Sequence, residues 1–429
     1  MLIFLLLLFM PSAWADSGFT GHLQSTTDDY PYHLGPPTQD LIPYLTLELS
    51  DKHKLTKALR FQWKIYALTN LSTTSPPENL YGDIPEGFFE YKSGSTKFRL
   101  GMNTLNWGVV DVSSPSDTMN TLMIFNPMKI RKQGAPMAEA IVGPEYLNLD
   151  LAYIPVQRAA QMPSPDSRWL PREYLSSIYE PQVGTLYLPQ RFQYQYTDPV
   201  TLNHALNNNF AAKLASHVDN WDFQATYFQG ASNFPKIIPG VSINATTNTP
   251  TVGSLIDLTE MTYLVRNTGF GFVWAREKWI FRGETAYQAT LSPEPNPSSP
   301  YLQPWSWTSV LAVETNVDIR ARTLTLLAQA YYTKDPQQAD NMVSSTFRLF
   351  DQTGMLGARF AYSDDLLFTL SSLYETTSQG LFWMAGFDNK WTDHIRWGLS
   401  WTNFSAAKQG LIQTYAKDSH ATMDLSYFF

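Results

Sequence analysis

The last ten residues, His420 to Phe429, alternate in character with a period of two. Ala421, Met423, Leu425, Tyr427 and Phe429 share one face; Thr422, Asp424 and Ser426 share the other, with Phe428 as a lone apolar neighbour. That period belongs to an extended strand, whose successive side chains point to opposite faces. At the edge of a soluble sheet such a strand would offer an unpaired, adhesive template. As the closing strand of a membrane barrel, it would turn its apolar face to lipid and its polar face to a lumen.

The same alternation recurs from Leu41 onward. Leu59, Phe61, Trp63, Ile65 and Ala67 lie on one face and Arg60, Gln62, Lys64 and Tyr66 on the other. A helix would scatter those apolar residues around its circumference, so the period predicts a strand. Leu45, Leu47 and Leu49 repeat it, as do Leu147, Leu149, Leu151 and Tyr153. Hairpins follow: Phe210–Ser216 into Trp221–Tyr227, Phe270–Trp274 into Trp279–Tyr287, and Leu381–Phe387 into Ile395–Trp401. Short polar turns separate strands of roughly nine to eleven residues, the length a tilted strand needs to cross a bilayer. Trp279 and Tyr287 share a face; eight residues separate them, ~20 Å along the membrane normal at a ~40° tilt, which suits two aromatic girdles.

Composition agrees with this reading. No run of ~18 apolar residues offers a transmembrane helix. Mean hydropathy is −0.23, as expected when half of every strand is polar. Aromatic residues make up 14% of the chain, with 13 Trp and 23 Tyr, a supply that interfacial girdles would use. The net charge of −8 argues against a nucleic-acid partner. Without cysteine there are no disulfides, thiolate metal sites or thiol nucleophiles. The apolar run Leu2–Met10 followed by Ala13-Trp-Ala15 reads as a signal peptide, residues 1–15, although no Lys or Arg precedes it. The mature chain is then expected to begin at Asp16 as a single barrel domain, residues 16–429.

Polar or Pro-rich stretches at 28–40, 70–86, 155–188, 231–256 and 291–304 read as loops. The fold expected is all-β: an antiparallel up-and-down barrel of about 16 strands, within a range of 14 to 18.

Signals of catalysis are poor. The seven His residues form no H-E-x-x-H pair, and there is neither a G-x-S-x-G elbow nor a phosphate-binding loop. His204 with Asn203, Asn207 and Asn208 reads as a polar turn, and Asp28-Asp29 and Asp364-Asp365 as solvated acidic pairs. No enzyme activity, cofactor or metal is expected. Strand parity instead directs a mixed set of charges inward: Arg60, Lys64, Glu90, Arg99, Asp222, Arg282, Glu284 and Arg396. Asp111 and Asp117 follow in a loop. Arg99 is expected to line the lumen or to pair with a neighbouring carboxylate such as Glu90. Segments 103–145 and 155–188, carrying Lys129, Arg131, Lys132, Arg168, Arg172 and Glu173, are expected to enter the lumen.

Two resemblances carry these residues further. Leu425, Tyr427 and Phe429 resemble the C-terminal insertion signal of bacterial outer-membrane barrels. Arg99-Leu-Gly101 with Trp107-Gly108, followed by Ser114-Pro-Ser-Asp117 and later Ser167-Arg-Trp169, resembles a family of proteobacterial porin-like barrels of poorly defined function. Ser114 departs from that family's pattern, which has Asn there. The resemblance implies a Gram-negative outer-membrane porin for passive diffusion of small solutes, with membrane lipid and the barrel-assembly machinery as partners. It leaves a homo-oligomer open, as well as a non-transporting surface or assembly barrel with a loop-filled lumen. An outer-membrane hydrolase fits the residues less well.

Overall fold

A computed structural model of the chain describes residues 19–35, 37–176, 185–189, 191–244, 251–291, 302, 304–320, 322–335, 352–408 and 411–429. The expected signal segment lies outside the described residues. Eighteen antiparallel strands form one closed barrel. In chain order they are β1 (Thr20–Asp29), β2 (Leu41–Lys54), β3 (Leu59–Asn70), β4 (Tyr81–Ser93), β5 (Thr96–Asn103), β6 (Ala135–Val142), β7 (Leu147–Val156), β8 (Asn207–Val218) and β9 (Trp221–Ala231). The circuit continues with β10 (Leu264–Arg276), β11 (Trp279–Thr290), β12 (Trp305–Ile319), β13 (Arg322–Lys334), β14 (Gln352–Ala361), β15 (Leu366–Glu375), β16 (Gly380–Lys390), β17 (Ile395–Ala406) and β18 (His420–Phe428). Each strand pairs with its neighbours in sequence. The C-terminal strand closes the ring on the first, from His22 opposite Phe428 to Asp29 opposite Ala421. Closure leaves no free edge, the condition for spanning strands in lipid.

The count is two above the expected sixteen, at the top of the expected range. Other boundaries also move. The stretch 70–86 was expected to be loop, yet β4 begins at Tyr81. It tolerates Pro85 because the pairing slips there: Lys64 faces Glu86 and Tyr66 faces Asp83, so Ile65 opposes two residues, one of them the proline. A bulge is where a strand can hold a residue without an N–H. Segment 231–256 is not a simple loop. Lys236–Asn244 and Thr251–Thr262 form a hairpin joined in parallel by Gln193–Tyr196 and Val200–Thr201, a small sheet separate from the barrel.

The connections alternate sharply. One end has turns of two to four residues, such as 94–95, 219–220 and 277–278; the other has connections such as 104–134, 157–206 and 232–263. The outward face is apolar, with Phe98, Leu100, Phe270, Leu311, Leu356, Leu370 and Leu399 all exposed. A continuous apolar surface on this scale marks contact with something other than water. Aromatic side chains cluster at both margins. At the turn end Trp221 stacks on Trp274 at 5.6 Å, and Trp274 meets Phe281 at 5.2 Å. At the loop end Tyr287 stacks on Trp305 at 6.1 Å. Among the described residues no helix is long and apolar enough to cross a membrane.

Candidate functional site

The connection 104–134 leaves β5, folds into the barrel and crosses it. Its departure depends on Gly101, which takes φ +139° with its Cα against the Gly87 backbone, where a side chain would strike the Gly87 carbonyl. On the far wall, Glu284 of β11 clamps the crossing segment. Its carboxylate accepts hydrogen bonds from Val109 N at 3.0 Å, Ser116 N at 2.8 Å, Ser116 Oγ at 2.5 Å and Ser114 Oγ. Nearby, Arg282 reaches Asp111 at 3.3 Å and Glu314 at 2.9 Å. Tyr331 Oη accepts from Ser113 N at 3.2 Å, and Val110 packs against Val310 and Tyr331. The segment then returns to β2, where Glu48 holds Arg131 at 2.5 Å and Lys64 at 2.7 Å. The Arg131 guanidinium also lies 3.9 Å from the Tyr66 ring centre. In a ring of eighteen strands β2 and β11 stand opposite each other, so the segment spans a full diameter.

Its base is sealed by buried amides. Asn120 accepts from Leu105 N at 2.8 Å and donates to the carbonyls of Gln133 (2.9 Å) and Asn103 (3.2 Å). Gln133 accepts from Tyr81 Oη at 3.0 Å. Lys132 bridges Asp117, the Leu105 carbonyl and Asn106; burial pulls its ammonium below the usual lysine value, while Asp117 opposes that shift.

On the inner wall beside this base, charges pair rung by rung. Arg60 faces Glu90, Glu90 faces Arg99, and Arg99 faces Glu139. Arg60 meets Glu90 at 2.9 Å, and Arg99 bridges Glu90 at 2.8 Å and Glu139 at 3.0 Å. Each buried carboxylate therefore has a guanidinium, the arrangement that makes such burial tolerable. Arg396 sits apart, over the Phe428 ring at 5.1 Å, near the turn end. The structure thus divides the inward charges into the Arg60–Glu90–Arg99 wall, the Lys64–Glu48–Arg131 anchor, the Asp111–Arg282 and Glu284 anchor, and the Asp117–Lys132 base. Glu48, Glu139, Asn120 and Gln133 are members that sequence reading did not single out. Asp28 is not a solvated acid: it is fully buried, accepts from Thr422 at 2.7 Å and has Lys129 at 3.7 Å. Asn203 and His204 both take φ 52° in a turn.

A second segment closes in at the loop end. Arg168 is fully buried, with Nε 2.6 Å from Asp418, Nη1 3.1 Å from Asp40, and Nη2 donating to the carbonyls of Tyr32 (2.6 Å) and Lys417 (2.9 Å). Trp169 packs among Tyr30, Phe404 and Tyr415. Glu78 ties the same segment to the wall, accepting from Ser164 N at 2.8 Å and Asn70 Nδ2 at 3.0 Å. Burial pushes Glu78 up to about 7, against the pull of those donors. The folded state therefore holds this proton more tightly than the unfolded chain. The stabilisation is complete below the ordinary carboxylate range and is lost as pH rises through about 7. Protease cleavage within 157–176 should accordingly increase between about pH 5 and pH 8 in the parent and increase less in Glu78→Gln, where the raised carboxyl of Asp418 remains. Equal pH dependence in both would exclude Glu78 as the latch.

What these segments leave open is a lumenal cavity of about 620 Å³ between the edge of the crossing segment and the inner wall of β14–β18. No protein-family model matches the chain, nor does any curated protein. Solved structures similar to it include a triple mutant of the Rhodopseudomonas blastica porin, at 9% identity and TM-score 0.44, covering 96% of this chain and 100% of that one. A further mutant of the same porin matches at 8% identity with the same coverage and TM-score.

Proposed function

We propose that the chain is a Gram-negative outer-membrane channel for passive diffusion of small solutes. The observation that carries this reading is the crossing segment: it spans the lumen on fixed anchors yet leaves a cavity along one wall. A barrel of this strand number is wide enough to hold water unless it is filled, and in this reading the fixed partition narrows the lumen while the space beside it stays open. In this reading the partly exposed Arg60, Lys64, Asp111 and Arg396 set the lumenal potential. Asp117, Arg282 and Arg99 contribute while paired, and the buried Glu90 and Glu284 act by holding others in place. No chemistry is assigned to the site, and no cofactor. Leu425, Tyr427 and Phe429, on or beside the outward face of the closing strand, would be read by the barrel-assembly machinery, and the loop end would face outward.

The test is single-channel recording in planar bilayers. Discrete current steps are expected. A correctly folded, inserted barrel that passes no current would favour a non-transporting barrel filled by its loops, a reading favoured by the buried packing around Trp107 and Trp169.

The lipid contact has its own check. Leu399 points outward, and Ser400 points into the cavity. A lipid-facing charge at mid-membrane costs about 2–4 kcal/mol for Lys or Arg and somewhat less for Asp. Leu399→Asp should therefore destabilise the barrel in a folding titration and Ser400→Asp should not. Equal losses at both positions would contradict a membrane-facing outer surface.

A further inference from the structure

Resting on the channel reading, we propose that the cavity beside β14–β18 is a binding site for amphipathic amines, molecules with an alkyl or aryl body and a cationic head. Its volume of about 620 Å³ falls within the range of small-molecule sites, roughly 300–1,000 Å³, and it lies inside the barrel wall, where no folded partner can enter.

The lining is unusual for a path that passes only hydrated ions. The crossing segment presents Val112, Met128 and Ile130, which are 44%, 41% and 36% exposed inside the barrel. Facing them on the wall is an apolar rung in register: Met355 opposite Leu373, and Leu373 opposite Phe382. Two apolar surfaces left exposed to each other across a cavity gain by taking an apolar body between them.

Towards the turn end, the wall changes to glycine and hydroxyl residues and then to acid. Asp388 and Asp424 both pair with Gly398, so one rung carries two carboxylates with no side chain between them. Asp388 leans over that gap: a Cβ at Gly398 would lie 2.7 Å from Asp388 Oδ1. Asp424 accepts from two neutral donors, Gln24 at 3.1 Å and Thr26 at 2.5 Å. Among the described residues neither acid forms an ion pair. The surrounding cations are mostly engaged: Lys390 with Asp393 at 2.6 Å, Lys129 with Asp28 at 3.7 Å, and Arg396 over Phe428. Arg359 faces Thr369, toward the same end. Arg396 and Arg359 act on Asp388 only from beyond ion-pair distance, and a bound ammonium would supply the direct counter-charge. Met384, which also lines the cavity, extends the apolar wall one step beyond that rung, and from it to Asp388 the strand rises roughly 13 Å, the reach of a medium-length alkyl or arylalkyl amine.

The experiment is block of the ion current by butyl-, hexyl- and octylammonium and by the carboxylates of equal length, paired with calorimetric binding to the barrel in nanodiscs. Block and binding by the ammonium series should strengthen about fourfold per methylene, the factor for burying a CH₂, and carboxylates should act at least about tenfold more weakly. The double variant Met128→Ser/Phe382→Ser should flatten the dependence on chain length. Asp388→Asn should weaken every amine while leaving that dependence intact. Binding without dependence on length, or carboxylates binding as tightly as amines, would overturn the proposal. If the barrel conducts but no amine blocks or binds, the site is lost and the channel reading stands. If it passes no current yet binds amines as described, the channel reading fails and the site stands.

Discussion

Glu284→Ala should leave the barrel closed while raising its unit conductance several-fold and making the current noisy. The carboxylate accepts four hydrogen bonds from Val109, Ser114 and Ser116, all on the crossing segment. Hydrogen bonds to a charged group contribute about 1.5–3 kcal/mol each, so even with strong non-additivity their loss loosens the far end of the segment. The strand itself does not depend on them: β11 keeps its full ladders to β10 and β12. The remaining ties, Arg282 to Asp111, Ser113 N to Tyr331, Asn267 Nδ2 to the Pro115 carbonyl and Gln224 Nε2 to the Trp107 carbonyl, still hold the segment to the far wall, which is why noise rather than complete release is expected. Glu284→Gln should fall between parent and alanine, since an amide accepts at one end but presents N–H groups to donors at the other. The measurements are single-channel recording and heat-modifiable gel migration. Unchanged conductance from a folded Glu284→Ala barrel would mean that the crossing segment does not set the opening.

How much of this was legible in the sequence depends on whether a feature is local. The strand from Leu59 and the closing strand at Phe428 declare themselves, because lipid-facing and lumen-facing residues alternate over a few positions. β1 does not. Its outward Ser25 and Thr27 are as polar as its inward Gln24 and Thr26, so no apolar period marks it, and the strand count falls short. β14 is blurred in the same way by Gly354 and Gly357, which give neither face a character. Bulges defeat the pattern differently: the extra residue beside Ile65 lets Pro85 enter β4, and a proline otherwise argues for a loop. For the candidate site, parity is enough to send Arg60, Glu90 and Arg99 to one side and to suggest the Arg99–Glu90 contact. Partners set by ring closure are beyond it. Glu284 meets Ser116 across 168 residues and Arg168 meets Asp418 across 250. No local pattern encodes such a pairing, and a buried Asn120 or Gln133 looks in sequence like any polar loop residue.

Arg168→Ala should detach segment 157–176 from the wall, and this is the largest local loss expected from a single truncation. The guanidinium joins three connections at the loop end: its own, 30–40 through Asp40 and Tyr32, and 407–419 through Asp418 and Lys417. It also covers the Tyr30 ring at 4.3 Å. Removing it strands a buried carboxylate, and breaking a buried pair from one side costs about 3–5 kcal/mol. Lysine should not rescue it, because a single ammonium cannot meet Asp418, Asp40 and two carbonyls in the planes that the guanidinium fork occupies. Asp418 adds a pH signature. Burial already pushes its carboxyl up to about 7 despite the opposing pull of Arg168, and without that cation the shift can only grow. The folded variant then holds the Asp418 proton more tightly than the unfolded chain, so its stability is greatest below the ordinary carboxylate range and falls as pH rises. Protease cleavage within 157–176 and 407–419 should therefore be rapid at about pH 8 and slowed towards pH 5, with Arg168→Ala/Asp418→Asn recovering part of the loss at high pH. Arg168→Ala that is no more readily cleaved than the parent at any pH would show that the three connections hold together without it.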